Sequence, residues 1–163
     1  MLEIQLAFRY IFIVPNRKAI LVADDCAEDA YILKRAFERA GMAVPIQFVK
    51  DGQELIDYLS GAEGFADRKS HPMPRVVLLD LKMPKLDGFD VLRWLQQQPE
   101  LRRLIVTVLS SSNQSADVNL AYDLGANSYV VKPDSLTGYT NIVEKLRDYW
   151  LEVNRPPDYV IMN

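Results

Sequence analysis

VVLLDLKMPKLDG, residues 76–88, holds the reading of the chain. Four apolar residues of strand character stop at Asp80, and a lysine, a proline and an Asp-Gly turn follow. Aspartate is a poor strand former, and its charge is costly to bury without a partner. A carboxylate at this point either marks the exit of the strand into water or is kept there for chemistry. The segments on either side decide between the two.

Upstream, AILVA (19–23) is an apolar run of buried-strand type, followed by AEDAYILKRAFERAG (27–41). Ile32 or Leu33, Ala36, Phe37 and Ala40 fall on one helical face there, and Gly41 is the stop. PIQFV (45–49) reads as a strand, GQELIDYLSG (52–61) as a helix, and GAEGFADRKSHPMP (61–74) as a loop. Downstream of RVVLL (75–79) come helix GFDVLRWLQQQ (88–98), strand LIVTVL (104–109), helix SADVNLAYDLGA (115–126), strand NSYVV (127–131) and helix YTNIVEKLRDYWLEV (139–153). Five strands thus alternate with five helices, with no internal repeat or low-complexity tract. Such alternation requires right-handed crossovers and a parallel sheet covered by helices on both faces, an α/β doubly wound architecture.

Bulk properties agree with one such domain. The 163 residues suffice for a real core, and 49% hydrophobic with 25% charged content is that of a soluble globular protein. A net charge of −3 offers no electrostatic reason to expect nucleic acid or an anionic membrane as partner. One cysteine excludes an internal disulfide framework and fits a reducing compartment, with the cytoplasm as the default. The opening MLEIQLAFRYIFIVPNRK (1–18) has an apolar run broken by Glu3 and Arg9, too short to span a bilayer. It also lacks the basic start and cleavage site of a secretory signal. An extra strand, a flexible arm and translation from an upstream start codon all fit it. Residues 1–17 are therefore set apart as an arm of unassigned role, 18–152 as the domain, and 153–163 as a C-terminal tail.

In open parallel sheets, ligands bind outside the carboxyl ends of the strands. Asp24 and Asp25 follow the first strand and Asp80 ends the third. The fourth ends at Ser110 and the fifth at Lys132-Pro133. Three acids, a hydroxyl and an amine from distant segments therefore converge on one edge. Each has a structural reading by itself. Asp24 or Asp25 suits the N-cap of the first helix, where Glu28 and Asp29 favour the dipole. Ser110 suits a loop or cap, Lys132 a solvated charge, and Asp87-Gly88 the start of a helix. Their joint occurrence at four strand ends is what those readings leave unexplained.

Three close carboxylates repel, so without a cation one should gain a proton. Bound Mg²⁺ removes that penalty, since it prefers hard oxygen ligands. Asp80 can then stay ionised and act as a nucleophile, with the metal, Lys132 and the Ser110 hydroxyl each meeting an oxygen of an arriving phosphoryl group.

ILVADD, VVLLDLKMPKLDG, VLSSS and YVVKP, in this order and spacing, resemble the receiver domain of two-component response regulators. The resemblance covers about residues 18–152. It implies a flavodoxin-like (βα)5 fold with strand order 2-1-3-4-5 and a phospho-acceptor at Asp80. It implies Mg²⁺ held by Asp80 and Asp25 directly, by Asp24 through water and by the backbone carbonyl of Lys82. Ser110 and Tyr129 are the implied switch pair, and Lys132-Pro133 an implied cis peptide beside the phosphate. Lys82 and Ser112 stand at variable positions that members use to set phosphoryl lifetime. Ala23 replaces the bulkier apolar residue of many members, which matters little. The loop 61–74 and the terminal YWLEVNRPP look more narrowly like single-domain regulators paired with bacterial phytochrome kinases.

The implied function is Mg²⁺-dependent acceptance of a phosphoryl group from a sensor histidine kinase, with no further catalysis beyond its own transfer and slow autodephosphorylation. After the last helix only NRPPDYVIMN remains, so the expected output is a switched interaction with a downstream protein. Phosphate at Asp80 would draw Ser110 inward and let Tyr129 rotate into the vacated space. A phosphohydrolase of the haloacid dehalogenase kind is disfavoured, because its second acid falls where Lys82 stands. A scaffold would need none of the acids, and no Gly-rich GK[ST] loop supports a nucleotide switch.

Other groups carry less. His71 reads as solvated, and Cys26 follows two acids that disfavour a thiolate. The last helix carries two apolar stripes. Ile142, Leu146, Tyr149 and Val153 form the one expected to cover the sheet, while Tyr139, Val143 and Trp150 form a second one left to be covered. Either the tail PPDYVIMN folds back over it, or a twofold homodimer forms through the fourth-helix to fifth-helix face.

Overall fold

The computed structural model describes residues 18–157 and, as backbone, two short strands outside them. In chain order the elements are β1 (Ile11–Val14), β2 (Ile20–Ala23), α1 (Ala27–Arg39), β3 (Ile46–Val49), α2 (Gly52–Ser60), β4 (Val76–Leu79), α3 (Gly88–Gln96), β5 (Ile105–Ser110), α4 (Ser115–Asp123), β6 (Ser128–Val131), α5 (Leu136–Leu146) and β7 (Tyr159–Met162). A short 3₁₀ turn at Glu63–Phe65 follows α2, and a π-helix, Arg147–Val153, continues α5.

Every residue of β2, β4 and β5 is buried, which is why these strands read as unbroken apolar runs. The main sheet runs β3-β2-β4-β5-β6 with all pairs parallel. Numbering only those five from the N-terminus, this is the expected order 2-1-3-4-5. Alternate strand residues feed two cores. Leu21, Val77, Leu79, Val106 and Val108 pack with Leu55, Tyr58, Val91, Leu92 and Leu95 of α2 and α3. Ile20, Val22, Val76, Leu78 and Ile105 pack with Leu33, Ala36 and Phe37 of α1 and Tyr139 and Val143 of α5.

The stripe assignment of the last helix is reversed. Tyr139 and Val143 are buried, whereas Tyr149 is 54% and Val153 74% exposed. The helix widens to π geometry at Arg147, so the next buried residue after Val143 is Leu151 and not Trp150. The buried Arg75 fixes the end of this segment by donating to the carbonyl of Asn154 at 2.5 Å. At its other end α5 starts three residues before the expected Tyr139, because the Ser135 hydroxyl accepts the Gly138 N–H at 3.1 Å as a cap.

The loop after α2 is tied down. Arg68 donates to the Tyr58 and Leu59 carbonyls at 2.8 Å, closing the helix C-terminus. The Tyr58 hydroxyl donates to the Pro72 carbonyl at 2.9 Å, and burial pushes its pKa up to about 12. His71 is not simply solvated: its ring stands edge-on to Phe65 and Tyr58 at 5.2 and 5.7 Å, half-buried, because the fastened loop presses it there.

At the chain ends β1 and β7 form a separate antiparallel pair, with Ile11 opposite Met162 and Val14 opposite Tyr159. The N-terminal segment thus contains a strand. The other positions of the arm, 1–10 and 15–17, and positions 158 and 163 of the tail lie outside the described residues.

Candidate functional site

Parallel strands deliver their C-terminal ends to one edge, and the acids stand there. Asp24 and Asp80 are 8% and 6% exposed, Asp25 is exposed, and one oxygen from each of the three carboxylates lies within 4.8 Å of the others. The ladder carries them to this level: Asp24 N–H donates to Val49 and Asp80 N–H to Ala23. Asp24 does not cap α1 from the cap position, which belongs to Cys26. Its Oδ1 accepts the Cys26 N–H at 2.9 Å instead, which turns the carboxylate toward the cluster.

Lys132, at the end of β6, reaches into the group. Its Nζ lies 2.8 Å from Asp24, 2.8 Å from Asp29 and 3.2 Å from Asp80, with a side chain only 8% exposed. Burial works against this ammonium, but the hydrogen bonds to Asp24 and Asp29 and the charge of Asp80 outweigh it and raise its pKa. Burial prevails at Asp24, whose pKa is raised in spite of the Lys132 contact. The solvated-charge reading of Lys132 is excluded by these contacts. The expected cis bond at Lys132-Pro133 is not found, since the described residues hold no cis peptide. Trans is favoured for X-Pro by about 0.5–1 kcal/mol, and with it Lys132 already meets Asp24, Asp29 and Asp80.

Ser110 is fully buried at the end of β5, and its Oγ accepts the Ser112 N–H at 3.3 Å. Ser112 turns its own hydroxyl away from the acids, donating to Asp117 of α4 at 2.5 Å. The Tyr129 hydroxyl donates to the Ser112 carbonyl at 2.9 Å. Lys82 is exposed, and its N–H approaches Asp80 Oδ1 at 3.4 Å.

Two glycines shape the loop after Asp80. A Cβ on Gly88 would lie 2.5 Å from the Asp80 carbonyl oxygen, and one on Gly52 would lie 2.2 Å from that of Leu86. Only glycine permits both approaches. Asp87 caps α3 in a reciprocal box with Asp90, as the Asp-Gly turn suggested. Lys85 sits in the left-handed region at φ 64° and its ammonium meets the buried Asp51 at 2.7 Å, linking this loop to α2.

A family model, the response regulator receiver domain, matches residues 20–144. The chain belongs to this family. Receiver domains are signalling modules of two-component systems. The crystal structure of response regulator RPA3017 in red light signaling of R. palustris is 39% identical, with TM-score 0.81, over 86% of this chain and 98% of that one. The phosphorylated cyanobacterial phytochrome response regulator RcpA is 31% identical with TM-score 0.79, over 86% and 99%. Response regulator Rcp1 of Synechocystis is 30% identical over 83% of this chain and 90% of its own. Its Mn²⁺-bound form has been solved and superposes with TM-score 0.75 over 86% of this chain and 99% of that one.

Receiver domains bind a divalent cation, and the three carboxylates fit one: hard oxygen donors, close together, with Asp25 open to water. Among the described residues no helix is long and apolar enough to cross a membrane. Two acids with polar partners in this region lie beyond the sequence reading of the site. Sequence alone gives Asp29 as a dipole partner of α1 and does not single out Asp117. Asp29 has a signal, since it stands in the first turn of α1, directly after the acids at the end of β2. Asp117 has none, because its partner Ser112 is set by a loop.

Proposed function

We propose that Asp80 accepts a phosphoryl group from a sensor histidine kinase, with Mg²⁺ as the cation, and that the charge switches a protein-binding face. The carrying observation is Lys132 Nζ, 3.2 Å from Asp80 at the mouth of the carboxylate cluster. Asp24, Asp25, Asp80 and the carbonyl of Lys82 would hold the cation, which neutralises the acids and supplies an electrophilic hold on a phosphoryl oxygen. An Asp80 oxygen attacks the phosphorus of a phosphohistidine; the P–N bond breaks, its electron pair stays on the imidazole, and a P–O bond forms. Lys132 takes one oxygen of the transferred group and the Ser110 hydroxyl donates to another.

Movement of Ser110 toward the phosphate would release Ser112, whose carbonyl anchors Tyr129. Lys82 and Ser112 tune how long the label lasts. The face so altered, α4–β6–α5 with the π-helix that continues α5, exposes Leu120, Tyr122, Val131 and Tyr149, and it is the surface for a homodimer or a downstream protein. The unit spans 18–152, and a cytoplasmic setting follows from its partner. A phytochrome-like kinase is the favoured donor, supported by the likeness to RPA3017 and RcpA.

Labelling tests this. A small phosphodonor with Mg²⁺ should label the protein once; Asp80→Asn and EDTA should each abolish it. A stable label persisting in Asp80→Asn refutes the assignment.

A further inference from the structure

Lys132 has three N–H donors and meets three carboxylates, two of which, Asp24 and Asp80, belong to the metal-binding cluster. The third, Asp29, comes from the first turn of α1 and is outside that cluster. Its side chain is 30% exposed, so it is held at the edge by the ammonium and not by burial. Asp29 and Asp80 both present Oδ2 to the same nitrogen, at 2.8 and 3.2 Å, so the two oxygens are at most about 6 Å apart. Among the described residues Lys132 is the one cation paired with these acids.

From this geometry we infer that Asp29 is a positioning residue that restrains Lys132 and opposes the charge of a phosphoryl group at Asp80. The inference rests on the reading of Asp80 given above. A cation in the cluster would take over the charge of Asp24 and Asp80, leaving Asp29 as the acid that still competes for the ammonium. A phosphoryl oxygen must then draw Lys132 from Asp29 while facing that carboxylate's negative charge. Both effects have one sign: Asp29 weakens the hold on an anion at Asp80. They also let this chain set its phosphorylation equilibrium from α1 without altering any group that touches the phosphate.

Beryllofluoride binding in saturating Mg²⁺ tests it. Asp29→Asn should bind about three- to tenfold more tightly than the wild type, because a like charge at this range is removed. The gain should shrink as salt rises, and Asp29→Glu should restore wild-type affinity. Without beryllofluoride, Mg²⁺ affinity should fall by about twofold, since the site loses negative charge. Glu28→Gln removes an exposed acid of the same turn that makes no ion pair with Lys132, and should change little. If Asp29→Asn does not fold, Asp29→Ser serves the same comparison. Unchanged or weaker beryllofluoride binding overturns the inference, as does an equal gain in Glu28→Gln. Failure of the wild type to bind beryllofluoride would instead overturn the Asp80 reading.

Discussion

The hydroxyl of Tyr129 donates to the backbone carbonyl of Ser112 at 2.9 Å, and the N–H of that same Ser112 donates to Ser110 Oγ at 3.3 Å. One loop residue thus connects the buried Ser110 hydroxyl to the aromatic ring on β6. Tyr129→Phe removes the anchor while keeping the ring, at a cost of about 1 kcal/mol in denaturant unfolding. It should accept the label at Asp80 as the wild type does, yet show a smaller change at α4 in amide exchange when beryllofluoride is added. An unaltered change at α4 would remove Tyr129 from the switch.

Lys132 neutralises buried acids, so its loss should be felt before any phosphate arrives. Lys132→Ala is expected to cost about 3–5 kcal/mol in metal-free unfolding, the range for orphaning a buried ion pair. Because the ammonium and a divalent cation answer the same carboxylates, Mg²⁺ should raise the melting temperature of Lys132→Ala more than that of the wild type. Equal Mg²⁺ shifts in the two proteins would contradict this competition.

Gly88 is required by contact. Its absent Cβ would fall 2.5 Å from the Asp80 carbonyl oxygen, so Gly88→Ala must displace the loop after Asp80 or the start of α3. A loss of about 1–3 kcal/mol follows from overpacking, together with slower labelling of Asp80. Gly41→Ala makes a useful comparison, since nothing lies within 4 Å of its Cβ position and any cost there comes from its φ of 64°.

Asp51 should govern part of the acid limb of stability. Burial acts to raise its pKa, but the hydrogen bonds from Lys85 and from the Glu54 N–H outweigh it and hold the carboxyl below its usual value. A depressed folded-state pKa means that its contribution is complete above the unfolded pKa, about 3.9, and is lost as pH falls through the folded value. Asp51→Asn should therefore flatten the stability profile below about pH 4 and leave its shape above pH 5 unchanged. Parallel profiles in the two proteins down to pH 2 would contradict it.

Sedimentation decides self-association. The exposed Tyr122, Val131 and Tyr149 lead to the expectation of a concentration-dependent dimer in the full chain, strengthened by beryllofluoride. A chain truncated after Val153 lacks β7 and should dimerise more weakly if the tail contributes. Monomers in both, with and without beryllofluoride, would exclude the dimer.

The order of apolar runs alone determined the architecture, because strands buried on both faces must be apolar throughout and parallel pairs require crossovers. That topology places every strand's end on one edge, so the convergence of Asp24, Asp80 and Lys132 is legible in the sequence. What spacing could not show were pairings between side chains far apart along the chain. Asp29 and Lys132 are 103 residues apart, and only the packing of α1 beside α5 brings Asp29 to 2.8 Å from the residue that follows β6. The buried stripe of the last helix escaped for a different reason. Within α5 both stripes are apolar at helical spacing, and only packing on the sheet buries Tyr139 and Val143, while past Arg147 a π-helix, with Arg75 on Asn154, shifts the phase so that Leu151 is buried. Local spacing records which groups share an edge; through-space charge and packing decide which of them touch.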